Sequence, residues 1–393
     1  MKKITFIFLC ISFTLFGQTN TEVYVFDIVH KDGIHLLKNG KSISNSEGYD
    51  SQPFFYDATS VLFAATRNGN TDIALYDLKQ ENPEIYYISK TEKGGEYSPQ
   101  RIPNSTNVSA VRLDNNGLQR FYSYNYKTKK SEELIPNLKV AYPNWFDKNT
   151  VIAVAIVHDS LDLFICDLKQ KTNIVVAKNV GRSVHRIPNT NLISFISKEN
   201  KDSWLVKSLN LEKKEIKTIT SIGLSEDITW LPNGVLLISK GNEIFKFNPK
   251  KDKRPSLFFS FTDENINNIS RIAVNSDGTK LALVAEVSPA YLAQEQLEGY
   301  NKKDIDAFLK PYAKDVKVYR FPNTLVYEGI ENMRTRYNSY FKNTPDLHCE
   351  LIKRIVHKDQ VIDHELVTAN GKTRKAVAIY TMKNGKISSV TFL

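Results

Sequence analysis

The sequence predicts an all-β six-bladed propeller followed by a small α+β cone, with three helices packed on a curved antiparallel sheet. Three observations carry that expectation: a strand pattern that recurs six times, a half-repeat at each end of the series, and a change to helical periodicity near residue 287. One column of the repeat falls at Phe55, Arg101, Trp145, Arg186, Trp230 and Val274. Roughly 40 to 46 residues separate these positions, the length of one four-stranded blade. A turn follows each column, at Asp57-Ala58, Pro103-Asn104, Asp147-Lys148, Pro188-Asn189, Pro232-Asn233-Gly234 and Ser276-Asp277-Gly278. Asp, Asn, Gly and Pro supply the backbone geometry that ends a strand tightly.

Third strands read Asp-Ile/Leu-x-x-x-Asp-Leu, as at Asp72 to Leu78 and Asp162 to Leu168. A first copy of that strand, Glu22 to Ile28, comes early with no partner strands before it. The last repeat, Ile269 to Glu286, gives two strands and lacks the third. The two defects complement each other. Residues 22 to about 45 are therefore expected to complete the blade begun by 269 to 286, which closes the ring and leaves no open edge. The runs Trp230-Leu231-Pro232-Asn233-Gly234 and Asn275-Ser276-Asp277-Gly278-Thr279-Lys280-Leu281-Ala282 resemble the turns of TolB-like, WD-repeat-like propellers over roughly residues 22 to 286. That resemblance implies a binding platform, not a reaction.

Ahead of the repeats lies an export signal, expected at 1–17, with the propeller at 18–286. Lys2 and Lys3 precede an apolar run from Ile4 to Phe16, and Gly17-Gln18 offers a cleavage site. About 13 apolar residues are too few to span a membrane. Cys10 sits inside that run behind Phe8-Leu9, which argues against a lipid anchor. No later segment reads as a transmembrane helix, so the protein is expected in the periplasm or outside the cell. Cys166 and Cys349 then remain, and two buried thiols are expected rather than a bridge. No paired Cys or His stands at ligand spacing, so neither metal nor cofactor is expected.

The net charge is +10 over 393 residues. The propeller carries 34 basic and 31 acidic residues, and the part after Glu286 carries 17 and 12. No basic run is interleaved with aromatics, so nucleic acid is not an expected partner. The column residues Trp145 and Trp230 read as blade packing. Arg101 and Arg186 either face the channel, where they would bind an anion, or pair with local acids.

After Glu286 the period changes. Ser288-Pro289 opens a helix that places Ala290, Ala293, Leu297 and Tyr300 on one face. Asp304 caps a second helix, read through to Tyr312. A strand from Val316 to Phe321 meets a turn at Pro322-Asn323, and Gly329 opens a third helix. Strands at 348–356, 361–368, 375–382 and 386–392 end the chain. This order, with Tyr319-Arg320-Phe321-Pro322, Tyr327-Glu328-Gly329-Ile330, Asp363-His364-Glu365 and Ala378-Ile379-Tyr380, resembles SnoaL-like domains of the nuclear transport factor 2 superfamily over residues 287–393. The superfamily also holds ketosteroid isomerase.

That resemblance implies a cavity but not its usual chemistry. The place of the isomerase base is taken by Phe321, and that of the phenol donor on the first helix by Gln296. No acid stands near Ala378 or Ile379, where the isomerases keep one, while two supporting tyrosines match Tyr312 and Tyr337. His348, Asp363, His364 and Glu365 are the remaining base candidates. Strand alternation separates Asp363 and Glu365 from His364, which shares a face with Ile362 and Leu366. His364 on that apolar face is the preferred base, because its ordinary pKa suits proton transfer. The Asp363/Glu365 pair then falls on the solvated side. Gln296, Tyr300, Tyr312, Tyr319, Phe321, Tyr337, His348 and Tyr380 are the expected ligand-binding residues, with the alternative that the tyrosines fill a dry core.

The function expected is binding. The propeller would present loops to a protein or glycan partner, and the cone would hold a small apolar ligand or pair with a second copy through its sheet. The alternative is an isomerase or lyase acting in the cone.

Overall fold

The computed structural model describes residues 20–31, 34–44, 48–81, 83–262, 266–383 and 385–393. The expected export segment, with Cys10, lies outside the described residues. Among the described residues the strands form six four-stranded sheets and one six-stranded sheet.

The chain opens with β1 (Thr21–Lys31) and β2 (Ile34–Ser42). One sheet holds β3 (Ser51–Phe55), β4 (Ser60–Arg67), β5 (Asn70–Asp77) and β6 (Tyr86–Tyr87). The next holds β7 (Gly94–Arg101), β8 (Val108–Asp114), β9 (Gln119–Tyr124) and β10 (Ser131–Ile135). Then come β11 (Val140–Trp145), β12 (Thr150–Val157), β13 (Ser160–Asp167) and β14 (Thr172–Ala177). They are followed by β15 (Val180–Arg186), β16 (Leu192–Ser197), β17 (Leu205–Asn210) and β18 (Glu215–Ser221). A fifth set is β19 (Ile228–Trp230), β20 (Leu236–Lys240), β21 (Glu243–Phe247) and β22 (Ser256–Ser260). Finally β23 (Asn267–Val274) and β24 (Lys280–Glu286) join β1 and β2 in the order β2-β1-β24-β23.

The two half-repeats are thus one sheet. β1 pairs antiparallel with β24 from Thr21 opposite Glu286 to Asp27 opposite Lys280. Val23, Val25, Ala282 and Val284 are buried there and pack on Val61 and Phe63 of the neighbouring sheet. First strands of successive sheets contact one another in sequence, and β23 contacts β3.

Every residue of the predicted column ends the first strand of its sheet. The turns behind them work as their composition requires. Asp57 Oδ1 accepts from the N–H groups of Thr59 and Ser60 at 2.9 and 2.7 Å, and Asp147 does the same for Asn149 and Thr150. These are Asx turns, in which a short side chain replaces a backbone acceptor. The column side chains latch neighbouring sheets. Trp145 Nε1 donates to Ser109 Oγ, and Trp230 Nε1 to Ser194 Oγ, each at 2.8 Å and buried. Among the described residues neither Arg101 nor Arg186 pairs with an acid, the second of the two expected arrangements. Arg101 donates to the carbonyl oxygens of Ser105 at 2.8 Å and Tyr56 at 3.2 Å, and its guanidinium lies 4.6 Å from the Tyr56 ring. Arg186 donates to the Phe146 carbonyl at 3.4 Å and stacks on that ring. Both cations reach the end of the preceding sheet's first strand, and Arg101 also holds the turn of its own sheet through Ser105.

After β24 come α1 (Pro289–Lys302), α2 (Ile305–Leu309), β25 (Tyr312–Arg320), β26 (Thr324–Glu328) and α3 (Ile330–Asn343). The chain ends with β27 (His348–His357), β28 (Gln360–Ala369), β29 (Lys372–Lys383) and β30 (Lys386–Phe392). Ser288 caps α1 with Pro289 behind it, and Asp304 caps α2 through the N–H groups of Asp306 and Ala307. Gly299 lets the two helices meet: a Cβ there would lie 2.3 Å from the Phe308 nitrogen.

Three details differ from the expectation. α2 stops at Leu309, because Pro311 disfavours helix at the residue before it, and Tyr312 starts a strand instead. β26 is a strand not anticipated between the turn and α3. The sheet, in the order β26-β25-β30-β29-β28-β27, is mixed, since β25 and β30 run parallel. The core between sheet and helices gathers Leu297, Phe308, Val316, Met333, Phe341, Val361 and Val390, among others. The parts meet at Asn20, whose carbonyl accepts from Val287 N and whose Nδ2 donates to Gly385 O, both at 3.2 Å.

Candidate functional site

Two sizeable cavities are candidates. The first, about 480 Å³, lies against the inner strands of the N-terminal sheets and is lined by Arg182, Glu226, Asp227 and Arg271. Its charges are mutually matched. Asp227 sits between Arg182 Nε at 2.9 Å and an Arg271 nitrogen at 3.0 Å. Glu226 accepts from Arg182 N at 3.0 Å and pairs with Lys198 at 2.6 Å. A buried carboxylate held by two guanidiniums organises a fold, and removing one partner is what costs.

The second cavity, about 540 Å³, lies in the cone. Tyr300, Phe308, Tyr337 and Tyr340 wall one side, with ring centroids 4.4 Å apart for Phe308–Tyr337 and 6.2 Å for Tyr300–Tyr337. The opposite wall is sheet: Val318, Tyr319, Glu365, Val367, Ala376 and Tyr380. Small Ala376 stands opposite Glu365 in the β28–β29 register and leaves room beside the carboxyl.

A chain of hydrogen bonds runs along this wall. Tyr312 OH donates to Gln296 Oε1 at 3.2 Å, Gln296 Nε2 donates to Tyr380 OH at 3.0 Å, and Tyr380 OH donates to Glu365 Oε1 at 3.2 Å. Burial pushes the Glu365 carboxyl up from 4.5 to about 7, and the nearby Asp363 charge adds to it. Hydrogen bonds from Tyr380 and Cys349 oppose the rise. Burial also drives the Tyr312 and Tyr380 phenols well above their ordinary range, so both remain proton donors. The Cys349 thiol, pushed to about 12 by burial, remains protonated. Asp363 is fully buried but spent: Arg354 grips it through Nε at 2.8 Å and a terminal nitrogen at 2.7 Å, while reaching the Ala290 carbonyl on α1.

The structure brings Gln296, Tyr300, Tyr312, Tyr319, Tyr337 and Tyr380 together around this cavity. Three expected residues stand elsewhere. Phe321 lies past the end of β25 at the turn into β26 and is 61% exposed. His348 is exposed and opens β27, while its buried neighbour Cys349 lines the cavity, as alternation requires. The face assignment on β28 is reversed. Val361, Asp363, Glu365 and Val367 are buried, and His364 lies with Ile362 and Leu366 on the other side of the sheet. Of the base candidates, Glu365 and not His364 therefore lines the cavity.

Fold and site define a β-propeller-like assembly joined to a helix-on-sheet cone with an aromatic-walled cavity. A family model matches the cone, and one solved structure shares the fold of the sheets before it. Residues 293–390 match the family model of the SnoaL-like domain. An uncharacterised cystatin-fold protein from Novosphingobium aromaticivorans is 24% identical over 27% of this chain and 98% of its own, with a TM-score of 0.26. An NTF2-like protein from Cytophaga hutchinsonii is 18% identical over 28% of this chain and 91% of its own, with a TM-score of 0.25. A protein assigned as TolB from Agrobacterium tumefaciens is 13% identical over 69% of this chain and 99% of its own, with a TM-score of 0.50. No curated protein matches the chain. The N-terminal sheets thus share the fold of a TolB propeller, and residues 293–390 match the SnoaL-like domain.

Proposed function

We propose that this is an exported binding protein of the periplasm or cell exterior, built as a six-bladed ring and a ligand-holding cone. The ring presents its loops to a protein or glycan, and the cone takes a small ligand with an apolar body. What carries this reading is the cavity of about 540 Å³ whose wall combines stacked rings with one directed chain of hydrogen bonds. Such a surface, apolar with a few placed polar groups, suits small-molecule recognition. The outer face of the cone sheet supports pairing with a second copy, since Ile352 and Ile355 are 45% and 50% exposed there. Native mass spectrometry of the mature protein tests both points. A retained small molecule and a two-copy mass are expected. A bare single-copy mass from freshly purified material would refute them.

A second reading, an isomerase or lyase in the same cavity, is favoured by one observation. Glu365 lies beside a phenol that stays protonated, with a pKa of about 7 that suits taking and returning a proton. Glu365 would accept a proton from a carbon next to a carbonyl, and the Tyr380 hydroxyl, released once Glu365 carries that proton, would turn to steady the charge left on oxygen. Deuterium wash-in to an enolisable bicyclic ketone, followed by NMR, tests it. Glu365→Gln should slow exchange roughly 100-fold, as expected for loss of a positioned base. Exchange equal to that of buffer would exclude the reaction for this ketone class.

A further inference from the structure

Exposure along the cavity wall rises in one direction. On the inward face of β28 and β29, the Asp363–Ala378 pair is fully buried, the Glu365–Ala376 pair comes next, and Val367 pairs with exposed Arg374. Arg374 stands two residues from Ala376, about 7 Å further along the strand. The mouth is therefore at the Arg374 end. Arg320, at the end of β25, and Lys375 also line the cavity, and so does Arg336 from α3. Among the described residues four cationic side chains thus line it, against one acidic side chain, Glu365. Arg336 is engaged with the Tyr327 ring at 4.6 Å. For Arg320, Arg374 and Lys375, no ion pair or side-chain hydrogen bond is found among the described residues. In the other cavity Arg182 and Arg271 each pair with Asp227, and Lys198 pairs with Glu226, whereas at this rim no such partner is found among the described residues.

We propose that the cone binds an anionic amphiphile, with a flat or chain-like apolar body among the tyrosines and one carboxylate or phosphate head at Arg320 and Arg374, with Lys375 beside them at the outer edge of the mouth. This rests on the cavity reading above and names the class of ligand it admits. The geometry is complementary at both ends. The rings of Tyr300, Phe308, Tyr337 and Tyr340 offer apolar faces inside. Guanidinium groups at the mouth match planar or tetrahedral oxyanions with paired N–H donors. The Glu365 carboxyl lies deeper than the rim, and burial keeps it largely neutral below pH 7, so it does not repel the head. A neutral ligand of the same shape would gain nothing from the rim, whereas an anion gains an attraction that salt screens.

Two fluorescent probes of nearly one shape test this on the full chain: anilinonaphthalene sulfonate and its uncharged parent, N-phenylnaphthylamine. The sulfonate should bind about tenfold tighter, and added salt should weaken it alone. The combined change Arg320→Gln, Arg374→Gln and Lys375→Gln alters exposed side chains and should leave the melting curve in place. It should weaken the sulfonate about tenfold and the neutral probe by less than about twofold. Equal affinities for the two probes, or a sulfonate insensitive to both salt and the triple change, would overturn the proposal. Dodecanoate and dodecyl phosphate compete as separate arms. Displacement by either supports the class and identifies the head, and displacement by dodecanol alone overturns it. Ala376→Phe, which fills the space beside Glu365, should abolish binding of both probes. If both still bind as before, they lie outside the cavity, and the cavity reading itself fails separately.

Discussion

At the seams between the N-terminal sheets, Trp145 and Trp230 each aim an indole N–H at a buried serine hydroxyl at 2.8 Å. Arg101 and Arg186 close on backbone carbonyls of the preceding sheet. In the cone the same kinds of group, phenols, an amide and a carboxyl, pass their hydrogen bonds along the wall of a cavity. The first set ends on partners that the repeat itself supplies. The second ends on Glu365, which also meets the Cys349 thiol and stands opposite small Ala376 on the cavity wall. Buried polar groups satisfied at every repeat hold a structure together, while a chain of them facing a cavity has capacity left for a ligand.

The largest test of that contrast lies at the closure. Val23 is fully buried between β24 and the neighbouring sheet. Val23→Asp puts an unpaired carboxylate there, and the chain is expected to lose cooperative melting of its N-terminal sheets. A chain beginning at Tyr49 should behave the same way, because β24 would be left with an open edge. Circular dichroism reads both. A parent-like melt in either would mean that the closing strand is dispensable.

The next effect is in the cone and depends on pH. Glu365 has an ordinary pKa of 4.5 and a folded value of about 7. Below pH 4.5 both folded and unfolded states hold the proton, so its burial carries no ionisation cost. Between 4.5 and 7 only the unfolded state releases it, so stability falls as pH rises, reaching a loss of ~3 kcal/mol that stays constant above 7. Glu365→Gln should remove that fall and gain on the parent from pH 5 to 8 in urea titrations. Glu22, also raised to about 7 by burial, contributes a similar slope from β1. The doubly substituted chain should therefore be flatter than either single variant. A parent whose stability is constant across this range would remove the case for a protonated Glu365.

Much of this was legible in the sequence, and the exceptions share one cause. The columns at Phe55, Arg101, Trp145, Arg186, Trp230 and Val274 are local strand ends fixed by the turns that follow, so spacing alone located them. The caps at Ser288 and Asp304 are equally local. Which side of β28 faces the cavity is not local. Ile362, His364 and Leu366 form as apolar a stripe as Val361 and Val367, and only the pairing of Glu365 with Ala376 decides between them. The small residues at 376 and 378 were the available signal, since a carboxyl needs a gap opposite. Phe321 was placed by resemblance, although Pro322-Asn323 already marked the turn that carries it outward. The parallel pairing of β25 with β30 joins strands some 70 residues apart, and no short-range pattern encodes it.

The smallest effect separates the two regions most directly. Trp145→Phe deletes the indole N–H, leaves the Ser109 hydroxyl without that donor in a closed seam, and thins the packing against Phe121. A cost of about 2 kcal/mol is expected, with Trp230→Phe alike because its serine is equivalent. Tyr380→Phe also deletes one donor, that to Glu365, but water or ligand in the cavity can replace it. Its cost to folding should stay under about 1 kcal/mol, while affinity for the apolar probes should shift measurably. Chemical denaturation of the three variants, run beside probe titrations, gives both readings. If Tyr380→Phe costs as much stability as the tryptophan changes and leaves binding untouched, its hydroxyl is a latch like theirs, and the cone wall is built as a seam rather than as a site.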